Sequence, residues 1–288
     1  MNNKSALWLA VALAMMGGLY LNQGRHHHPP PTTIRTTTTV PVTTTVPQTT
    51  FPVTTTVPGY PLGIAPPPLG PGESVLFFDD FASLNTNDWG VYNGTSQPSN
   101  GRFLASNTSV SGGLLNLKMS QDFTNGTSVN NFEVGAGVQL ISHTLHAGQR
   151  VEFAFKNLPM PGAYQIGLLF AADNQWPGHG EVDILEQNNG GSFQSTVIWG
   201  DSSGNRQQTQ HPVPTVGPGP HVMALAWTTT SLDFYLDGTE YWSFPTPPAP
   251  FGAVGLNFCL QTQQEAVFND PGQTSDEIVD WVRVVKLA

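Results

Sequence analysis

From residue 72 onward the sequence is a succession of short segments in which apolar and polar residues alternate, and none has the period of an amphipathic helix. Glycine, proline and asparagine separate these segments, and Asp237-Gly238 is a typical hairpin turn. Many short strands with turns between them indicate packed antiparallel sheets. The sequence therefore predicts an all-β sandwich, with strands within residues 75–81, 113–118, 149–155, 196–199, 221–227, 232–236 and 278–285.

One predicted strand is acidic. The segment Gly180-Glu181-Val182-Asp183-Ile184-Leu185-Glu186 carries three carboxylates, in a chain where 10% of residues are charged. Alternate residues of a strand share a face, so Glu181 and Asp183 are predicted to point the same way. Strict alternation would turn Glu186 into the core. One extra residue at Ile184-Leu185, a β-bulge, would return Glu186 to the acidic face.

Three neighbouring carboxylates repel one another, and this repulsion raises their pKa values. Such a cluster is energetically unfavourable, so its presence suggests a function. Neighbouring carboxyl groups with different pKa values are what glycoside hydrolysis requires. The residue types alone leave two alternatives open, a solvated polar strand face and a calcium site.

Two motifs together carry a resemblance. Trp176-Pro177 followed by residues 180–186 is similar to the signature of glycoside hydrolase family 16, in its bulged, laminarinase-like Glu-x-Asp-x-x-Glu form. Segments 75–81, 150–159, 227–238 and 279–284 also resemble family strands, so the resemblance covers roughly residues 74–286. It implies a concanavalin A-like jelly-roll sandwich of two curved antiparallel sheets, with a cleft across the concave sheet.

The resemblance also implies roles for the three acids. Glu181 would be the nucleophile, Asp183 its helper, and Glu186 the general acid and base of a retaining endo-glycosidase. We expect ionised Glu181 and Asp183 to keep the proton on Glu186. The implied substrate is a β-linked polysaccharide, with β-1,3- or β-1,3/1,4-glucan expected first and galactan second. The chemistry would require no cofactor.

Sugar-binding candidates are aromatic and amide side chains near the acidic strand, because the C–H faces of sugars pack on rings. They are Trp176, Trp199, Tyr164, Asn257 and Gln261. The family usually has tryptophans where this chain has residues 164–170, and often a histidine where it has Ile198. These departures leave the sugar specificity open.

The resemblance suggests one metal ligand. In the family an aspartate at the position of Asp280 often helps to bind a structural calcium ion remote from the cleft. The alternative for Asp280 is a surface carboxylate near Arg283. The single cysteine, Cys259, excludes an internal disulfide and is predicted to be a packed thiol.

The first 71 residues differ in composition from the rest. Residues 1–22, with Lys4 before an apolar run, are typical of a signal peptide or a signal-anchor. Residues 23–71 are rich in threonine and proline and predict a disordered, extended stalk before a domain at 72–288. We therefore expect an extracellular or cell-surface monomer, with its N-terminus as a tether to a membrane or cell wall.

Composition narrows the function further. A net charge of -10 with no basic run argues against a nucleic-acid partner. Three classes remain: a retaining endo-glycosidase or cell-wall transglycosylase, a carbohydrate-binding lectin-like module, and a stalked structural or adhesion protein. The clustered acids favour the enzyme, because a lectin has no need of them.

Overall fold

The computed structural model describes residues 59–94, 102–122, 132–158, 163–187, 192–217, 219–264 and 274–288. The predicted signal segment, and the predicted stalk as far as residue 58, lie outside the described residues. No helix in the described part of the chain is long and apolar enough to span a membrane.

The described residues are almost entirely extended. They form sixteen β-strands and a short 3-10 turn at Ala105–Asn107. The strands are β1 Ser74–Asp79, β2 Trp89–Val91, β3 Arg102–Phe103, β4 Thr108–Ser111, β5 Leu114–Asp122, β6 Phe132–Leu145, β7 Gln149–Leu158, β8 Ala163–Ala171, β9 Glu181–Gln187, β10 Phe193–Gly200, β11 Arg206–Pro212, β12 His221–Trp227, β13 Ser231–Leu236, β14 Thr239–Pro245, β15 Leu256–Gln264 and β16 Thr274–Lys286.

The strands form two sheets. The front sheet has the order β11-β10-β9-β8-β15-β6, with β2 paired to β6. The back sheet has the order β5-β16-β7-β12-β13-β14, with β1 paired to β16 and β4 to β5. Strand β6 continues from one sheet into the other, where it pairs with β5, and every pairing is antiparallel except β3 with β6. The predicted all-β jelly-roll sandwich of two antiparallel sheets is confirmed.

The core lies between the two sheets and identifies the inner face of each. Phe153 of the back sheet packs on Phe258 of the front sheet, with ring centroids 5.4 Å apart. Side chains alternate along a strand, so Asn257, Cys259 and Gln261 lie on the outer face of the front sheet. This outer face carries the candidate site.

Residues 59–71 pack on strand β16, and we call this segment the N-terminal strap. Three side chains of β16 bind its backbone: Asp280 accepts from the amide of Leu62 (2.7 Å), Trp281 donates to the carbonyl of Ile64 (2.7 Å), and Arg283 donates to that of Pro67 (2.8 Å). Tyr60 and Ile64 also pack against the buried cluster that contains Trp281. Residues 59–71 therefore pack on the sandwich, upstream of the predicted boundary at residue 72.

A chain of ion pairs continues from the strap into the back sheet. Arg150 of β7 binds both carboxylate oxygens of Glu73, at 2.6 and 2.8 Å. The Nε atom of Arg150 donates to Glu152 at 2.6 Å, and Glu152 accepts from Arg283 at 2.6 Å. Arg150 holds Glu73 with two bonds, and Glu152 links Arg150 to Arg283. This network therefore fixes the start of β1 against β7 and β16.

Candidate active site

The acidic strand is β9, which lies between β8 and β10 in the front sheet. On β10, Thr196 pairs with Asp183 and Gln194 pairs with Glu186, so two residues of β9, Ile184 and Leu185, lie opposite a single residue. The register on β8 shifts at the same place. This is the β-bulge that the sequence predicts, and it turns Glu186 to the same outer face as Glu181 and Asp183.

A buried serine supports the bulge. Ser195, the residue opposite the bulge, donates its hydroxyl to the carbonyl oxygen of Ile184 at 2.6 Å. Tyr241 of the back sheet contacts the same hydroxyl at 2.7 Å. A carbonyl displaced from the ladder by a bulge needs another donor when it is buried, and Ser195 supplies it. Sequence reasoning missed Ser195, since nothing marks a serine within a predicted strand as a partner of a bulge.

The turn before β9 positions Trp176. Its indole N–H donates to the Oε2 atom of Glu181 at 2.6 Å. Gly180 follows with φ of 94°, and a Cβ atom there would come within 2.3 Å of the Phe251 ring. Only glycine fits both requirements, so this residue allows the turn to place Trp176 directly over the first acid.

Glu181 is a buried carboxyl group, with 7% of its surface exposed. Burial raises its pKa to about 7, and the charge of Glu186 acts in the same direction. The hydrogen bond from Trp176, the charge of Arg206 and a hydrogen bond from Asp183 lower this pKa and oppose the rise. Glu181 is therefore poised to change charge near neutral pH.

Asp183 is a second buried acid with a strongly raised pKa. Burial raises its pKa well above the usual range, and the charges of Glu181 and Glu186 raise it further. Its hydrogen bond with Glu181 raises the pKa of Asp183 and lowers that of Glu181. These directions favour a protonated Asp183 that gives a hydrogen bond to Glu181, which differs from the expectation of an ionised Asp183.

Glu186 is only half-buried, unlike the other two acids. Gln194 donates its side-chain amide to the Oε2 atom of Glu186 at 2.8 Å. Glu181 and Asp183 are thus the more deeply buried pair, at 7% exposure each. Gln194 is a second site residue that the sequence did not reveal.

The structure divides the predicted sugar-binding residues. Trp176 is half-buried and contacts the first acid, and its role as a sugar platform stays a prediction. Tyr164, Asn257 and Gln261 lie on the acidic face, because their strand partners alternate in phase with the acids. Tyr164 and Gln261 are nevertheless buried, at 3% and 0% exposure, and Asn257 accepts from Thr144 at 3.0 Å.

Trp199 is on the opposite face from the acids. Its neighbour Ile198 pairs with Glu181, so Trp199 points toward the back sheet, where it packs on Phe244 with ring centroids 5.6 Å apart. The prediction of a sugar platform at Trp199 is therefore corrected. The register of β10 with β9 decides on which face of the sheet Trp199 lies. That register is set by pairing between strands and not by the local sequence.

The acidic face has an apolar floor and a polar rim. Buried side chains, each 5% exposed or less, surround the acids: Ile166, Leu168, Phe170, Ile198 and Cys259. On the edge strand β11, by contrast, Arg206, Gln208 and Gln210 are exposed, and the pairing of Gln208 with Ile198 puts them on the same face. The exposed polar groups of this face therefore lie along its β11 edge, outside the buried row of acids.

Asp280 lies away from the acids, on the back sheet. It is fully buried, one oxygen accepts the amide of Leu62, and the other has no hydrogen-bond partner in the described part of the chain. Calcium takes six to eight oxygen ligands. Among the described residues, no group of three or more acidic, histidine or cysteine side chains could hold a metal. The described residues support an anchor for the strap, and calcium at Asp280 stays a proposal for a chelation experiment.

The fold and the acids together define a class of protein: a jelly-roll sandwich that carries a bulged Glu-x-Asp-x-x-Glu strand on the outer face of its front sheet. The sequence matches no protein-family model and no curated protein. Solved structures, however, match its fold.

Three of these solved structures illustrate how similar their folds are to that of this chain. A glycoside hydrolase family 16 protein from the mixed-linkage glucan locus of Bacteroides ovatus has a TM-score of 0.62 and 16% identity, covering 73% of this chain and 100% of that one. LamAcat of Zobellia galactanivorans has a TM-score of 0.59 and 18% identity, covering 73% and 97%. An immunostimulatory antigen and pseudo β-1,3-glucanase of Mycobacterium tuberculosis has 0.60 and 22%, covering 74% and 99%. At these identities the likeness establishes the fold, and this chain has the glycoside hydrolase family 16 fold.

Proposed function

We propose that this protein is a retaining endo-glycosidase that hydrolyses a β-linked polysaccharide by double displacement. The expected substrates are β-1,3- or β-1,3/1,4-glucan first and galactan second. The observation that carries the proposal is the bulge in β9, which brings Glu181, Asp183 and Glu186 to one outward face. A strand without the bulge would bury the third acid in the core.

The first step forms a covalent intermediate. A carboxylate oxygen of Glu181 attacks the anomeric carbon, and the bond from that carbon to the glycosidic oxygen breaks. Glu186 gives its proton to the departing oxygen. Its half-buried position suits this role, because the leaving sugar and the incoming water must both reach it.

The second step reverses the proton transfer. Glu186, now ionised, takes a proton from water, whose oxygen attacks the anomeric carbon and releases the carboxylate of Glu181. Two inversions give net retention. The ester at Glu181 carries no charge, so the charge that Glu181 placed beside Glu186 is absent while Glu186 acts as a base.

Trp176 and Asp183 prepare the nucleophile. Each donates a hydrogen bond to Glu181, and both bonds lower the pKa of Glu181 against the effect of burial. Because this pKa is about 7, we expect kcat/KM to rise with pH through the neutral range on its acid side.

The solved structures support the substrate class by analogy. The Bacteroides ovatus protein is in complex with a tetrasaccharide product, and LamA of Zobellia galactanivorans is in complex with laminaritriose and laminaritetraose. The Mycobacterium tuberculosis neighbour is described as a pseudo-glucanase, so the fold alone does not establish turnover. In this chain the argument for turnover rests on the three acids. Export, with the N-terminus as a surface tether, is part of the proposal and rests on residues 1–71.

A polysaccharide panel tests the proposal. The full-length protein is incubated with laminarin, mixed-linkage glucan and agarose, and products are followed by reducing-sugar release and mass spectrometry. We expect endo-type oligosaccharides from at least one polymer, and none with Glu181→Gln. The variant Glu240→Gln, at an exposed position on β14, is the matched control and should keep full activity.

Other outcomes identify the competing functions. Binding to a polymer without turnover would favour a lectin-like module. Products longer than the substrate would indicate a transglycosylase. Neither binding nor turnover on any polymer would favour a structural protein.

A further inference from the structure

Arg206 is a cation at the rim of the acidic face. It is the first residue of β11, pairs with Gly200, and has an exposed side chain. The end of β10 lies directly on the turn before β9, since a Cβ atom at Gly200 would come within 3.0 Å of Gly178. This close approach brings the start of β11 next to Trp176.

Arg206 contacts Trp176 face-on. Its Cζ atom lies 5.6 Å from the centroid of the indole ring. A guanidinium over a tryptophan face is attracted by the ring and also limits the ring's rotation. The same indole donates its N–H to Glu181 at 2.6 Å, so a continuous chain of contacts links β11, the turn and the first acid.

We propose that Arg206 is a positioning residue for the reaction proposed above, holding Trp176 by the guanidinium that lies over its ring and supplying a positive charge beside the carboxylate of Glu181. None of the ion pairs between described residues involves Arg206. Within the part of the chain that the structure describes, no carboxylate pairs with the Arg206 guanidinium. The inference rests on the proposed function, because a residue that positions Trp176 and Glu181 serves catalysis only if Glu181 is the nucleophile. The effect of Arg206 on the Glu181 carboxyl group can be measured without turnover.

The other groups around Glu181 explain why a cation matters there. Asp183 and Glu186 face it from its own strand, and its charge acts on the thiol of Cys259 on β15. The residues paired with Glu181 on β8 and β10 are the apolar Phe170 and Ile198. Tyr92 lies beside the thiol of Cys259. Burial and the charge of Glu186 favour the protonated form of Glu181, and Arg206 is the cation in this set that opposes them. Arg206 lowers the pKa of Asp183 as well.

Two substitutions separate the effect of the Arg206 charge from the effect of its planar guanidinium over the Trp176 ring. Arg206→Gln removes both, whereas Arg206→Lys keeps a charge but loses the planar guanidinium. Gln208→Ala is the matched control, since Gln208 is the next exposed residue on the same face of β11 and is uncharged.

The direct measurement is a pH titration of the Glu181 carboxyl carbon by NMR in protein labelled with 13C-glutamate, with the signal assigned from its loss in Glu181→Gln. We expect Arg206→Gln to raise the midpoint by about half a pH unit or more, the scale expected of one partly screened charge nearby. Arg206→Lys should recover part of this shift, and Gln208→Ala should leave the midpoint unchanged. In the active enzyme, the acid side of the kcat/KM profile should move with the NMR midpoint.

Distinct results would overturn the inference. An unchanged Glu181 midpoint in Arg206→Gln, with only KM raised, would make Arg206 a substrate contact instead. An unchanged midpoint with unchanged kinetics would make it a surface cation. If the wild-type protein turns over no polysaccharide, the proposed function fails, and the NMR titration still decides whether Arg206 acts on Glu181.

Discussion

Glu181→Gln should make the protein more stable above neutral pH. The substitution keeps the shape of the side chain and an oxygen that can accept from Trp176, but it removes a buried ionisable group. The pKa of Glu181 is about 7, against an ordinary value of 4.5. At 1.36 kcal/mol for each tenfold change in proton affinity, that difference corresponds to about 3 kcal/mol.

The direction of the effect follows from linkage. The folded protein binds the Glu181 proton more tightly than the unfolded chain does, so this contribution is fully present below about pH 4.5 and is lost as pH rises through about 7. About 2.5 kcal/mol should be lost between pH 5 and pH 8. A glutamine at this position cannot ionise and loses nothing. Removing the charge also relieves Asp183, which acts in the same direction.

The assay is thermal unfolding of both proteins at pH 5 and pH 8. For a domain of this size about 2.5 kcal/mol corresponds to a change in Tm of about 5 to 10 °C. The Tm of Glu181→Gln should therefore exceed that of the wild type by about that much more at pH 8 than at pH 5. Glu240→Gln, which changes an exposed glutamate, should show no such pH-dependent difference. If Glu181→Gln differs from the wild type equally at both pH values, the reasoning about burial is refuted.

Four further predictions follow from the site and its surroundings. Glu186→Ala should lose several orders of magnitude of activity, and azide should restore turnover of an activated β-linked substrate to give a β-azide; an α-azide would exchange the roles of the two glutamates. Ser195→Ala leaves the carbonyl of Ile184 without its donor, so it should lower stability by about 1–3 kcal/mol and reduce kcat, and full activity would show that the bulge holds without it. Asp280→Asn should lower the Tm by weakening the anchor of the strap, equally with and without chelator, whereas a chelator effect on the wild type alone would show bound calcium. Glu277 is fully buried, its oxygens have no hydrogen-bond partner among the described residues, and burial raises its pKa, so Glu277→Gln should flatten the loss of Tm between pH 5 and pH 8; an unchanged slope would contradict this.

Much of the site could be predicted because it is local in sequence. Side chains alternate along every strand, so the spacing of Glu181, Asp183 and Glu186 is compatible with one shared face only if β9 contains an extra residue. The glycine at 180 and the tryptophan at 176 are close enough in the chain for a single turn to set their geometry. Their arrangement therefore depends little on the rest of the molecule.

Residues that act on β9 from other strands could not be predicted in this way. Ser195, Gln194 and Arg206 come from β10 and β11, and their roles depend on which residue lies opposite which. The face occupied by Trp199 depends on the same register. A change of one residue in pairing would reverse every one of these assignments.

The alternating all-β sandwich and its bulged row of acids could be read from the residues alone, because these features follow from the period of a single strand and the propensities of its residues. The tertiary structure decided which acids are buried, and hence that the pKa of Glu181 and Asp183 is raised, because burial depends on the cover from neighbouring strands. The packing of residues 59–71 also comes from the tertiary structure, since the β16 side chains that bind their backbone lie more than two hundred positions away in the chain.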